Sequence, residues 1–424
     1  VEVILPDYGG LELAATTERA LEMPAWAGPA TIRSGSLDGF ADLSLVSADD
    51  LERPHPYLDR RGRGWPDNDR RFLVFSAAIA AHLLADPPDL VHLNDWHTGA
   101  TLGLTADPPP SLLTIHNLAY QGITDDRWLE VLTRRPEAYE WYGDMNPLTG
   151  AIALADRVVA VSPHFAEETL RPESGFGVDE ALAARGPHYL GILNGIDTSV
   201  WDPATDPHLP LHYGPRSAHR KRSIGRGLAI EMGWPPSAEP LIGMVTRLTD
   251  QKGVDLALEA GTDLGSIGAR MILLGAGDAV LARGATRLAE RMPDRFAFVE
   301  GYDESLAHRI FAGCDLFLMP SRFEPAGLAQ MQAMRYGTIP VVTDVGGLHD
   351  TVIDADAVPD HGTGFVAASP TVADLGDALG RAVRAWRSTR RRGAIRRRGM
   401  THDWSWRGAA ARYLDLYEEI TSAR

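Results

Sequence analysis

The chain has 424 residues, 44% of them hydrophobic and 23% charged, with a formal net charge of -16. This length exceeds one ordinary core and implies two domains of about 150–200 residues each, and the composition excludes disordered and fibrous classes. The acidic balance argues against a nucleic-acid partner, so any anionic ligand would need a local cationic pocket.

The first half opens on VEVIL, which reads as a strand. The stretches DLVHLND, SLLTIHN, RVVAVSP and YLGILNG read as further strands, with helical segments such as FLVFSAAIAAHLLA and TGAIALA between some of them. Residues 194–215 are rich in Pro and Asp, lack a clear period and read as a linker. The second half carries LIGMVTR, MILLGAG, FAFVEGY, LFLMPS and TIPVVTD, nearly continuous apolar runs ending in polar or glycine turns. Buried parallel strands have this character, and alternation with helices implies right-handed βαβ units.

The expected fold class is therefore α/β, with two doubly wound, Rossmann-like domains. The expected boundaries are 1–193, a linker at 194–215, 216–400, and a terminal helix at 401–424. In that helix the spacing of Trp406, Ala410, Tyr413 and Tyr417 predicts the packed face. The arginine-rich run 381–398 reads either as a solvated helix face or as a functional patch. Cys314, the single cysteine, lies in the apolar run IFAGCDLFLM and reads as an inert core residue. No stretch is long and apolar enough to span a bilayer, so a cytoplasmic protein without a membrane partner is expected.

In open α/β sheets ligands bind beyond the carboxyl ends of the strands, so polar residues there are the candidates for chemistry. Arg247 ends LIGMVTR, and Lys252 follows in TDQKG before a helix. Two cations at a helix start suit a phosphate; alternatively they pair with Asp250 and Asp255. Glu324 follows LFLMPSRF, Pro325 is placed at the first position of a helix through AGLAQMQAMRYG, and Gly337 is its expected cap. Leu328, Met331 and Met334 form the expected buried stripe. Glu324 is either a favourable charge at a helix start or a ligand for sugar hydroxyls. Gly346-Gly347 repeats the design one βα unit later, where glycine admits close backbone approach. One ligand carrying both phosphate and sugar satisfies all these groups.

In the first half, Asp95, Trp96 and His97 lie at one strand end, and His116 and Asn117 at another, open to structural or catalytic readings. No HExxH motif or Cys/His cluster is present, so no metal is expected. No nucleophile elbow or Walker A sequence occurs, and the GAG of LLGAGD is a weak dinucleotide signal.

Taken together, SRFEPAGLAQMQAMRYGTIPVV, TRLTDQKGVDL, GYDESLAHRI, LTIHNLAYQG, LNDWHTG and GILNGID resemble bacterial glycogen synthases and plant starch synthases, nearly end to end. The resemblance implies a GT-B fold with ADP-glucose between the two domains. It also implies retaining transfer of glucose to the non-reducing end of an α-1,4-glucan, with no metal ion or other cofactor. By matching position, Arg247 and Lys252 would bind the diphosphate, and Glu324 the glucose hydroxyls. Gly327 and Leu328 would offer backbone N–H groups, and Tyr302 would stack on adenine. His116 would sit beside the glucose, Asp95 in the cleft near the sugar, and Asn117 and Asn194 would be further donor contacts.

Two departures stand out. The KxGGL loop usual in the family is not matched, Gly9-Gly10-Leu11 is not that loop, and the expectation is that its region lies before Val1. The usual EPCGLNQM reads EPAGLAQM, with Ala326 and Ala329; both substitutions keep the backbone N–H groups, so altered affinity is expected rather than lost chemistry. The alternatives are a related glucosyltransferase using a small acceptor such as glucose 1-phosphate, and a degenerate glucan-binding paralogue.

Overall fold

The structure, a computed structural model, describes residues 1–37, 40–54, 56, 64–235 and 237–422. Two compact units are present. One comprises 1–160, 166–190 and 413–424, the other 161–165 and 191–412.

The first unit contains two main sheets. Strands β1 (Glu2–Pro6), β2 (Ala14–Ala20), β3 (Thr31–Leu37) and β4 (Phe40–Ser47) form one, in the order β1-β4-β3-β2, with β1 parallel to β4 and the rest antiparallel. Strands β5 (Val91–Asn94) and β6 (Ser111–Ile115) join two later strands, β10 (Arg157–Ala160) and β11 (Tyr189–Gly191), in the order β11-β10-β6-β5. A small third sheet holds β7 (Thr124–Asp125), β8 (Glu140–Trp141) and β9 (Asp144–Met145).

Two features of this unit differ from expectation. VEVIL does not join the parallel sheet but edges a mixed one, and strands β2–β4 carried no continuous apolar run to betray them. All seven residues of β2 are exposed, so that strand has no buried face to imprint on its sequence. The long helix Asn68–Ala85 buries Phe75, Ala78, Ile79 and Leu83 with Ile32, Val46 and Leu51.

The second unit is built on β12 (Leu241–Val245), β13 (Arg270–Gly275), β14 (Phe296–Glu300), β15 (Leu316–Met319), β16 (Ile339–Thr343) and β17 (Phe365–Ala367). Their order is β14-β13-β12-β15-β16-β17 and every pairing is parallel. This is the doubly wound order 3-2-1-4-5-6. The apolar runs are continuous because both sheet faces are covered. Met271, Leu273, Leu316, Leu318 and Val341 enter one core cluster, while Ile272, Leu274, Phe317 and Val342 enter the other. Gly243 inside β12 lets the helix Glu304–Gly313 approach, since a Cβ there would lie 2.5 Å from Ile310 Cγ2. Cys314 is fully buried, and burial pushes its thiol well above the usual range, as expected of an inert core residue.

Residues 194–215, expected as a linker, are part of this unit's core. Ile196, Leu209 and Tyr213 are buried, and the Tyr213 hydroxyl donates to Tyr336 O at 2.8 Å. Asp206, His208 and His308 bring ligand-type atoms within 4.8 Å of one another, a grouping invisible in the sequence spacing. Asp206 Oδ1 accepts the His208 N–H, and Oδ2 accepts from Tyr336 Oη and His308 Nδ1. Trp201 stacks on His308 at 4.1 Å. The carboxylate thus clasps residues 201–213 to the sheet's helices.

The arginine run is neither a free patch nor a plainly solvated face. Arg381 pairs with Asp354, Asp356 and Asp377, Arg391 with Asp356, and Arg396 with Asp315. The final helix spans Arg407–Ser422, residues 423 and 424 lie outside the described residues, and from Tyr413 onward the chain belongs to the first unit. Tyr417 Oη bonds His92 Nδ1 at 2.7 Å, and Leu416 and Ile420 are buried. Trp406 and Ala410, expected on the packed face, are exposed; the buried stripe starts instead at Ala409.

Candidate active site

Because all six strands of the second unit run parallel, their carboxyl ends share one edge, and the order of the strands reverses between β12 and β15. That switch point is where such sheets bind ligands. The turn after β12 carries Arg247 and Lys252, the turn after β15 carries Glu324, and the turn after β16 carries Gly346 and Gly347.

Local glycines hold these turns together. Gly275, the last residue of β13, and Gly277 just beyond it admit the loop after β12: a Cβ on Gly275 would lie 2.1 Å from Thr246 O, and one on Gly277 2.5 Å from Leu248 O. Leu248 N–H donates to Ala276 O and Asp278 N–H to Leu248 O, each at 2.8 Å. The GAG segment therefore pins the loop that bears Arg247, which is exposed and makes no ion pair among the described residues. Lys252 ends the short 3-10 turn Asp250–Lys252. Gly253 follows at φ 60°, a left-handed conformation, and its Cβ would lie 1.9 Å from Pro320 O. Only glycine meets both demands, and the contact carries the β12 turn to the end of β15.

There, Lys252 Nζ lies 2.6 Å from Glu324 Oε2, which also accepts from Ser321 Oγ at 3.0 Å. Glu324 is 5% exposed. The pairing of Lys252 with Asp250 or Asp255 is not formed, because Arg322 occupies both, at 3.1 and 2.6 Å. The Arg322 hydrogen bond holds the Asp255 carboxyl below its usual value.

The segment after Glu324 differs from expectation. The helix spans Ala329–Arg335, so Pro325 is not its first residue. Gly327 sits at φ 63°, which a right-handed helix cannot contain, and residues 324–328 form a loop. Leu328 is 43% exposed, whereas Met331 and Met334 are buried. Gly337 closes the helix at φ 69°, the expected cap. The Gly347 N–H donates to Glu324 O at 2.9 Å, so it braces the loop and is not open to a ligand. A Cβ on Gly347 would lie 1.9 Å from Ala326 O, which explains this glycine. Gly346, at φ 43°, begins the helix Gly346–Thr351.

Tyr302 is 88% exposed in the turn after β14, at the same sheet edge. From β14 to β15 is three strand spacings, about 14 Å, the scale of an extended nucleotide sugar with its base at β14 and its sugar at β15. Asn194 lines a cavity of about 300 Å³ with Leu193, Met331, Trp404 and Arg412.

In the first unit, adjacent strands β5 and β6 bring Asp95, His116 and Asn117 together. Asp95 Oδ1 accepts the His116 N–H at 2.7 Å and the Asn117 N–H at 3.4 Å, and His116 Nε2 lies 2.9 Å from Asn94 Oδ1. Asp95 holds φ 53°, a strained conformation for a residue with a Cβ. Burial raises its carboxyl above the usual value. His97 instead stacks on Trp96 at 4.3 Å and packs edge-on to Phe72 at 4.5 Å; it is half-buried, and that burial lowers its imidazole to about 4.

A cation pair and a carboxylate at the switch point of one parallel α/β unit, joined to a second unit with its own parallel sheet, define a GT-B glycosyltransferase. The comparisons bear this out. The sequence model of the starch synthase catalytic domain matches residues 1–184, and that of glycosyl transferases group 1 matches 234–398. A glycogen synthase 1 of Methylococcus capsulatus is 40% identical over 446 residues, 99% of this chain and 89% of that one. A glycogen synthase of Anaeromyxobacter dehalogenans is 43% identical over 393 residues, 87% of this chain and 82% of that one. Among solved structures, the catalytic domain of starch synthase IV from Arabidopsis thaliana, bound to ADP and acarbose, superposes with a TM-score of 0.90 at 30% identity, covering 99% of this chain and 92% of that one. Sucrose-phosphate synthase from Thermosynechococcus elongatus shares the fold, with a TM-score of 0.60 at 19% identity over 90% of this chain and 84% of that one. The chain belongs to the glycogen and starch synthase family of glycosyltransferases. Among the described residues no helix is long and apolar enough to cross a membrane.

Proposed function

We propose that the enzyme transfers glucose from ADP-glucose to the non-reducing end of an α-1,4-glucan with retention of configuration. The observation that carries this reading is the Lys252–Glu324 pair at the switch point, with Arg247 unpaired on the same turn. A cation and a carboxylate in contact suit a ligand that is anionic at one end and hydroxylic at the other.

In this reading Arg247 and Lys252 take the diphosphate and stabilise the charge that develops on the departing ADP, which preorganised cations do at little reorganisation cost. An ammonium has three donors, so Lys252 can keep Glu324 while engaging a phosphate oxygen. Glu324 orients the glucose hydroxyls and supports positive charge at the sugar. The backbone N–H groups of Gly327 and Leu328 face the sugar or the distal phosphate, and Tyr302 stacks on the base. Gly346 and Gly347 contribute by supporting the loop. His116, set by Asp95 and Asn94, acts beside the transferred glucose, with Asn117 as a further polar contact. Asn194, which lines a cavity with Met331, is a further donor contact. With two protein cations on the leaving group, the step is proposed to need no metal ion.

The test supplies ADP-glucose with glycogen, with glucose 1-phosphate, or with no acceptor, and measures ADP release and glucan length. Release with glycogen and chain growth are expected. Release only with glucose 1-phosphate would select the small-acceptor alternative, and glucan binding without release the degenerate paralogue. UDP-glucose in parallel tests the choice of nucleotide.

A further inference from the structure

We propose that Gln330 is a positioning residue for glucosyl transfer: it holds the carbonyls of Ala326 and Gly327 inward, which turns the N–H groups of Gly327 and Leu328 toward the ligand. This rests on the reading of the second unit as the donor site.

Gln330 is fully buried on the helix that follows the Glu324 loop. The two N–H bonds of its Nε2 serve Gly327 O at 2.6 Å and Thr351 Oγ1 at 2.9 Å, with Ala326 O at 3.2 Å sharing a hydrogen as the longest of the three contacts. Its Oε1 has no partner. The opposite amide orientation would set a carbonyl oxygen against two backbone carbonyls, so the chemistry of the acceptors fixes the rotamer's sense. Thr351 Oγ1 in turn donates to Gly347 O at 2.6 Å, and the Gly347 N–H to Glu324 O at 2.9 Å. Gln330 thus closes a hydrogen-bonded circuit through the turns after β15 and β16, with the carboxylate-bearing residue at one end.

The consequence follows from peptide geometry. In a planar trans peptide the C=O of one residue and the N–H of the next point in opposite directions. With the Ala326 and Gly327 carbonyls directed onto Gln330, the N–H groups of Gly327 and Leu328 face away from it. Neither N–H finds a backbone acceptor among the described residues. The left-handed φ of Gly327 is part of the device, because a Cβ there would lie 2.5 Å from Gln330 Oε1. A methionine of equal length would fill the space and release both carbonyls. Because the β15 turn lies beyond the β12 turn when counted from Tyr302, these N–H groups meet the distal phosphate and sugar and not the proximal phosphate.

The test compares Gln330→Met with wild type by calorimetric titration of ADP and AMP and by steady-state kinetics. ADP affinity should fall about tenfold, the scale of losing one well-aligned hydrogen bond, with AMP affinity nearly unchanged and kcat reduced. Equal losses for ADP and AMP, or unchanged ADP affinity, would overturn the proposal. A second measurement uses the wild-type chain in case the variant does not fold. The Gly327 and Leu328 amides should exchange rapidly without ligand and become protected by ADP-glucose; protection in the ligand-free protein contradicts the outward orientation. Lys252→Met separates the two levels. If it loses ADP while Gln330→Met keeps it, only the Gln330 role fails; if wild type binds no nucleotide, the donor-site reading fails.

Discussion

Replacing Lys252 with methionine keeps an unbranched apolar stem, one atom shorter, and removes the ammonium. Glu324 Oε2 then retains only the Ser321 hydroxyl, at 3.0 Å, in a residue that is 5% exposed. Breaking a fully buried ion pair costs about 3–5 kcal/mol. The Lys252 side chain is 19% exposed, so water reaches part of the vacated space, and about 2 kcal/mol is the reasonable scale. For a domain of this size that lowers Tm by about 4–8 °C. The catalytic loss should be larger. A missing preorganised charge on the leaving group costs about 10²–10³ in kcat. Initial rates of ADP release, taken well below the variant's Tm, separate the two effects. Adding Glu324→Gln removes the orphaned carboxylate, so the double variant should recover most of the stability and none of the activity. A Lys252→Met enzyme within about threefold of wild-type kcat, or a double variant that regains turnover along with stability, would refute the assigned role.

Two further outcomes follow from the geometry. Tyr302 is 88% exposed, so Tyr302→Ala should leave Tm unchanged while raising KM for ADP-glucose about tenfold through lost stacking; an unchanged KM removes Tyr302 from the site. His92 and His97 are each lowered to about 4, with burial the largest cause, against about 6.5 in the unfolded chain. Between these values the unfolded state takes up protons that the folded state refuses, so stability is full above about pH 6.5 and falls as the pH drops through the folded values, by about 3 kcal/mol for each group. Urea denaturation of the full chain across this range should show the decline, less steep in His97→Phe; a flat profile in wild type contradicts it.

Much of the second unit was legible because a sheet covered on both faces writes itself as uninterrupted apolar runs. Strand ends then nominated Arg247, Lys252 and Glu324 without any structure. The contact between Lys252 and Glu324 was not legible, since it depends on Gly253 passing Pro320 O, a backbone approach between segments far apart in sequence. The Pro325 helix start was misread because proline and the residues after it suit a helix, whereas Gly327 needs a left-handed φ that only the loop permits. Gly347 looked like a ligand cradle and instead spends its N–H on Glu324 O. Gln330 gave no signal at all: a glutamine between alanine and methionine reads as a neutral helix residue until its three acceptors are seen. In the first unit strands β2–β4 were missed for want of a continuous apolar run, and the exposed edge strand β2 has no apolar pattern at all, while Asp95 and His116 were found because they end adjacent parallel strands.

The most direct test of the central claim is an NMR analysis of malto-oligosaccharide incubated with ADP-glucose and the enzyme. The account predicts new α-1,4-linked glucose at the non-reducing end, in step with ADP release, and neither with Glu324→Ala. Release of free glucose without chain growth, β-linked product, or undiminished elongation by Glu324→Ala would contradict it.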